Sequence, residues 1–82
     1  MYSVEFSLTA EKKLYKLELE VQRRIVDVLE RIKIRPFHFV KRKQGTLYYI
    51  LRIGEHRAIL DIRQDKEIIF VVEVGHRKKI YD

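Results

Sequence analysis

The chain has 82 residues, 46% of them hydrophobic and none of them cysteine, which suffices for one small core and excludes disulfide and thiolate chemistry. Lysine and arginine number 18 against 12 aspartate and glutamate, a formal net charge of +6. Such an excess suits a polyanionic partner, although it also serves solubility alone. His38, His56 and His76 are too far apart for a metal-ligand motif, and no stretch reaches membrane-spanning length, so neither a metal nor a bilayer is expected.

Residues Met1 to Phe6 lack the basic start and long apolar run of a signal peptide, which predicts a cytoplasmic protein, and the length predicts one domain over residues 1–82. Tyr2, Val4 and Phe6 alternate with Ser3, Glu5 and Ser7, the pattern of a strand with one buried face. Thr9 offers an N-cap oxygen ahead of Ala10 and Glu11. From there Leu14, Leu17, Val21, Ile25, Val28 and Ile32 recur at helical spacing as far as Pro36. One helix of about 25 residues would span roughly 37 Å, longer than a compact domain of this size, so a helical hairpin broken near Glu18-Leu19-Glu20 is predicted.

Phe37 to Lys43 reads as a cationic loop with aromatic members. Three strands follow, joined by turns at Gly54-Glu55 and Gln64-Asp65-Lys66. In the first, Leu47, Tyr49, Leu51 and Ile53 share a face opposite Tyr48, Ile50 and Arg52. The second alternates Arg57, Ile59, Asp61 and Arg63 with Ala58, Leu60 and Ile62. The third puts Ile68, Phe70, Val72 and Val74 opposite Ile69, Val71 and Glu73, and its apolar character on both faces predicts a central position. The order strand, two helices, three strands predicts an α+β fold: antiparallel strands forming one twisted sheet with the helical hairpin on one face.

Charge is concentrated late. Residues 1–40 carry 8 basic and 6 acidic side chains, and residues 41–82 carry 10 and 6. Arg52 and Arg57 flank the Gly54-Glu55 turn and Arg77 follows Gly75, so three guanidinium groups can converge on one side of the sheet. Their planar forks fit phosphate oxygens, and Tyr48 and Tyr81 offer faces for a nucleobase. Arginines that protect a sheet against edge-to-edge pairing fit the same pattern.

Tyr2-x-Val4-x-Phe6-Ser7, Gln22-Arg23-Arg24-Ile25, Arg52-Ile53-Gly54-Glu55-His56-Arg57, and Val74-Gly75-His76-Arg77 with Tyr81 together resemble the RelE/ParE superfamily of toxins from type II toxin-antitoxin modules, over essentially the whole chain. The resemblance is to RelE-type mRNA interferases, and it implies a metal-independent endoribonuclease, without cofactor, that cuts messenger RNA in the ribosomal A site and so inhibits translation. It also implies a cognate RelB-like antitoxin. By the same resemblance Arg57 is a phosphate clamp, Arg77 stabilises charge or protonates the leaving group, and Tyr81 stacks on the nucleotide. Some members carry two lysines where Tyr48 and Ile50 stand here. Arg52 keeps a cation nearby, and Lys41, Lys43, Lys78 and Lys79 are candidate RNA contacts from loops. His76 has the chemistry of a general base, though a histidine in Gly-His-Arg is also a common packing or backbone-bonding residue. A ParE-like inhibitor of DNA gyrase and a non-catalytic basic RNA-binding module are the alternatives that fit the same fold.

Overall fold

Alternating apolar residues from the two ends of the sequence lie side by side: Val4 and Phe6 are the register partners of Ile69 and Val71. The structure is a computed structural model that describes residues 1–78. Its elements are β1 (Ser3–Phe6), α1 (Leu8–Tyr15), α2 (Leu19–Arg31), a 3-10 turn (Pro36–His38), β2 (Val40–Arg42), β3 (Tyr49–Ile53), β4 (His56–Arg63) and β5 (Ile68–His76). They form a five-stranded sheet in the order β1-β5-β4-β3-β2. The pairs β2–β3, β3–β4 and β4–β5 are antiparallel, and β1 joins β5 in parallel. The predicted α+β architecture is the one observed. β5 is an interior strand, while the middle of the sheet is β4.

Ser7, not Thr9, caps α1. Its backbone is extended and its hydroxyl accepts the Ala10 N–H at 3.0 Å, leaving Thr9 inside the first turn. The same hydroxyl donates to the Val72 carbonyl at 2.7 Å, tying the start of the helix to β5. The hairpin breaks at Lys16–Glu18, slightly before the predicted point. With neither Gly nor Pro there, the Gln22 side chain closes the break by donating to the Leu17 carbonyl at 2.9 Å. α2 ends at Arg31, so Pro36 does not terminate it; Pro36 opens the 3-10 turn, where its fixed φ suits a first helical position. The segment read as a cationic loop contains β2, a three-residue edge strand.

Ala10, Leu14, Ile25, Leu29 and Ile32 from the helices pack on Leu51, Ile53, Ala58, Leu60, Ile62, Ile69, Val71 and Val74 of the sheet in one contiguous core. β5 departs from the predicted alternation. Ile59 faces Glu73 and Leu60 faces Val71, so Val72 is an extra residue, a β-bulge that moves Val74 into the core with Ile69 and Val71 while Phe70 stays outside it. The helices cover only this face. The other face is bare of helix and carries Ile50, Arg52, Arg57, Ile59, Asp61 and Phe70.

Candidate anion-binding site

Arg52 and Arg57 are direct register partners across the β3–β4 turn, so both guanidinium groups leave the bare face at the same end of the sheet. Gly54 makes that turn possible: its φ is +59°, which a side chain rarely tolerates, and an added Cβ would come within 3.3 Å of Arg24 Nη1 on α2. Beside the arginine pair lies a concave cleft of about 300 Å³ lined by Phe39, Lys41, Arg42, Gln44, Ile50, Arg52 and Arg57. Its lining among the described residues includes four cations. The half-buried Ile50 gives it an apolar floor, and Phe39, half exposed, stands at its edge.

Lys41 is the informative member. It lies on β2, not in a loop, and pairs directly with Ile50 of β3. An ammonium from the neighbouring strand therefore stands next to the position where the family resemblance leads one to expect a lysine. Arg42, next on β2, also lines the cleft and sits 5.5 Å from the Tyr49 ring centre, a cation–π contact that holds its stem. Arg42, Phe39 and Gln44 were not singled out in the sequence, because a segment read as loop gives no facing. Val40, in register with core Leu51, was the signal available: it makes Phe37 to Arg42 more than a loop.

The remaining candidates are distributed. Arg77 follows β5 at the same end of the sheet, its N–H donating to the Glu55 carbonyl at 2.9 Å. Lys43 lies in the β2–β3 turn, where its N–H donates to the Tyr48 carbonyl, and it is not part of the cleft lining. Tyr48 is exposed and electrostatically close to Arg63, away from the cleft. Lys79 and Tyr81 lie outside the described residues.

His76 is set apart from the arginines. It pairs with His56, their rings 5.4 Å apart edge to face, and alternation along β4 puts His56 on the side of core residues Ala58 and Leu60, opposite Arg57. Its Nδ1 accepts the Lys78 N–H at 3.2 Å and its Nε2 is 3.8 Å from Glu55. The Nδ1 bond ties the ring to the backbone just after Arg77. Among the described residues, no three His, Cys, Asp or Glu side chains group as a metal site, and no helix is long and apolar enough to cross a membrane.

A helical hairpin covers one face of a mixed five-stranded sheet, and the register-paired Arg52 and Arg57 stand on the other, in a small α+β fold. Residues 4–81 match the family model described as the ParE toxin of the type II toxin-antitoxin system parDE, and the chain belongs to that family, within the RelE/ParE superfamily. It is the toxin of a type II toxin-antitoxin system. Solved structures share the fold. The toxin-antitoxin complex RelBE2 from Mycobacterium tuberculosis aligns at a TM-score of 0.83 with 24% identity, over 93% of this chain and 98% of that one. The archaeal RelE-RelB complex from Pyrococcus horikoshii gives 0.80 and 22%, over 96% and 98%. The YoeB/ParE toxin from Agrobacterium tumefaciens gives 0.73 and 16%, over 94% and 99%. No curated protein sequence matches significantly.

Proposed function

We propose that the chain is a ribosome-dependent, metal-independent messenger RNA endoribonuclease whose activity is held in check by a RelB-like antitoxin. One observation carries it: the directly paired Arg52 and Arg57 open onto a cleft that also holds Lys41 and Arg42, four cations on one concave surface. Such a cleft suits a phosphodiester, whose charge rises in the transition state. In the cleavage step the ribose 2′-oxygen attacks the adjacent phosphorus and the bond to the 5′-oxygen breaks. The 2′-proton goes to a base, the leaving oxygen gains a proton, and the products are a cyclic phosphate and a 5′-OH.

Arg57 and Arg52 clamp the phosphate and stabilise its added charge. Arg77, at the same end of the sheet, protonates or shields the leaving oxygen. Lys41 is assigned to the attacking 2′-oxygen, since it occupies the space beside Ile50 on the cleft side. His76 is given no proton-transfer role; it supports the segment that carries Arg77 and Lys78. Tyr81 is assigned to stacking on the nucleotide, and Lys78 and Lys79 to the RNA backbone.

The vacant strand-lysine positions, Tyr48 and Ile50, favour a second function: a ParE-like gyrase inhibitor that cleaves nothing, in keeping with the ParE name of the matched family. Single-turnover cleavage on messenger-programmed ribosomes, beside a gyrase supercoiling assay, separates the two. New 5′-hydroxyl ends within A-site codons support the nuclease. Blocked supercoiling without cleavage rejects it.

A further inference from the structure

The bare face of the sheet holds a second hollow, of about 250 Å³, lined by Glu5, Asp61, Arg63, Lys66, Ile68 and Phe70. Asp61, Phe70 and Glu5 are successive register partners across β4, β5 and β1, so two carboxylates flank one aromatic ring. Ile68 and Phe70 are half-buried on a face that no helix covers. Arg63 Nε and Nη2 both donate to Asp61 Oδ2, at 3.1 and 3.0 Å. Among the described residues no hydrogen bond reaches Asp61 Oδ1, so the pair presents a fixed, open acceptor beside an apolar platform.

Two ordinary explanations fall short for Asp61. Acidic side chains protect exposed sheet edges, which accounts for Glu5 on edge strand β1. Asp61 is on β4, the middle strand. A purely electrostatic RNA surface would also exclude carboxylates, because they repel phosphate. Arg63 accounts for Oδ2 of Asp61 and leaves Oδ1 to meet a further hydrogen-bond donor, and in RNA the donors are on the bases and the 2′-hydroxyls.

We infer that this hollow holds a nucleobase of the bound strand, stacked on Phe70, and that Asp61 selects bases bearing an exocyclic amino group over uracil. The inference rests on the RNA function proposed above. Aspartate accepts from the amino group of cytosine, with Arg63 beside it to donate to a neighbouring ring acceptor. Uracil puts a carbonyl oxygen where that amino group would be, and this oxygen meets the carboxylate unfavourably. Lys66, in the turn after β4, takes the phosphate that follows. Asp61 is four residues along β4 from Arg57, about 13 Å at strand rise, or roughly four stacked steps of about 3.4 Å. The selected base is thus about four nucleotides from the cut, not the cut nucleotide itself.

The test uses 2′-O-methyl nonanucleotides, which cannot be cleaved, so binding is read whether or not the protein is catalytic. Fluorescence anisotropy at low salt compares UUUUUUUUU with UUUUCUUUU and UUUUAUUUU, whose central base has four nucleotides on either side to reach Arg57, on the wild-type chain, Asp61→Ala and Arg57→Ala, with circular dichroism confirming each fold. The wild type is expected to prefer the amino-bearing oligomers by roughly five- to a hundredfold, the discrimination of one good base contact. Asp61→Ala should erase that preference, and Arg57→Ala should weaken all three oligomers alike. Equal wild-type affinities, or a preference that survives Asp61→Ala, overturn the inference and leave the nuclease function standing. Failure of the wild type to bind any oligomer counts against the RNA function, and the hollow's role falls with it. Loss of antitoxin binding in Asp61→Ala with the RNA profile unchanged would assign the hollow to the protein partner instead.

Discussion

Arg57 combines two demands that a lysine cannot meet together: a charge at any working pH and a fork that spans two phosphate oxygens. Arg57→Lys is therefore expected to lower single-turnover cleavage on programmed ribosomes by about ten- to a hundredfold with an unchanged circular dichroism spectrum; a wild-type rate would mean that charge alone suffices. Lys41 carries the complementary prediction. If its ammonium stabilises the negative charge developing on the 2′-oxygen from beside Ile50, Lys41→Met should cost about a hundredfold or more, the scale of one transition-state charge contact. Ile50→Lys in that background should restore part of the loss, since it returns a cation to the adjacent strand. No restoration in a folded double variant would detach the reaction from this spot. Arg77→Ala should abolish growth arrest without unfolding, because the segment is anchored by the Arg77 backbone N–H and not by its side chain; an expression assay paired with thermal melting tests it. The arginines were legible in the sequence because Gly54 fixes the turn they flank. Lys41 was legible as a charge but not as a cleft residue, since its facing depends on pairing with β3, a long-range fact no local pattern carries.

Among the elements, β1 and the helices follow from periodicity, while the junctions between them follow from hydrogen bonds that periodicity cannot register. Ser7 and Thr9 are both acceptable caps by type; Ser7 prevails because its hydroxyl also reaches the Val72 carbonyl. Ser7→Ala removes both bonds at once and is expected to destabilise the fold by about 1–2 kcal/mol, read as a lowered urea midpoint with an unchanged m-value. Ser7→Thr should retain most of the stability. Strict alternation failed in β5 for a related reason. A bulge leaves no mark in composition, yet it turns Val74 inward and leaves Phe70 on the face opposite the helices. The sequence pattern therefore located the strand and misassigned its faces, which is why the Phe70 hollow could be seen only with the register in hand.

For the whole molecule, the separation of faces matters most: apolar packing occupies one side of the sheet and cations the other, so charge substitutions on the bare side should alter binding more than folding. With four cations lining the cleft, the logarithm of RNA affinity should fall against the logarithm of salt with a slope of about −3, and Arg57→Ala should make it shallower by about 0.7. A salt-independent affinity would remove the phosphate contacts from the cleft. The parallel pairing of β1 with β5 has a separate effect, on timing. Ser3 to Phe6 can find their partners only after Ile68 to Val71 have been synthesised, so the sheet closes through its longest loop and at a late stage. While β5 is still inside the exit tunnel, β1 and β4 lack the strand that both pair with, so the two parts of the sheet cannot yet be joined. The turn that carries Arg52 and Arg57 is therefore held by a finished sheet only once β5 has emerged, and an activity proposed for that face begins with the closing of the sheet and not with the synthesis of the arginines.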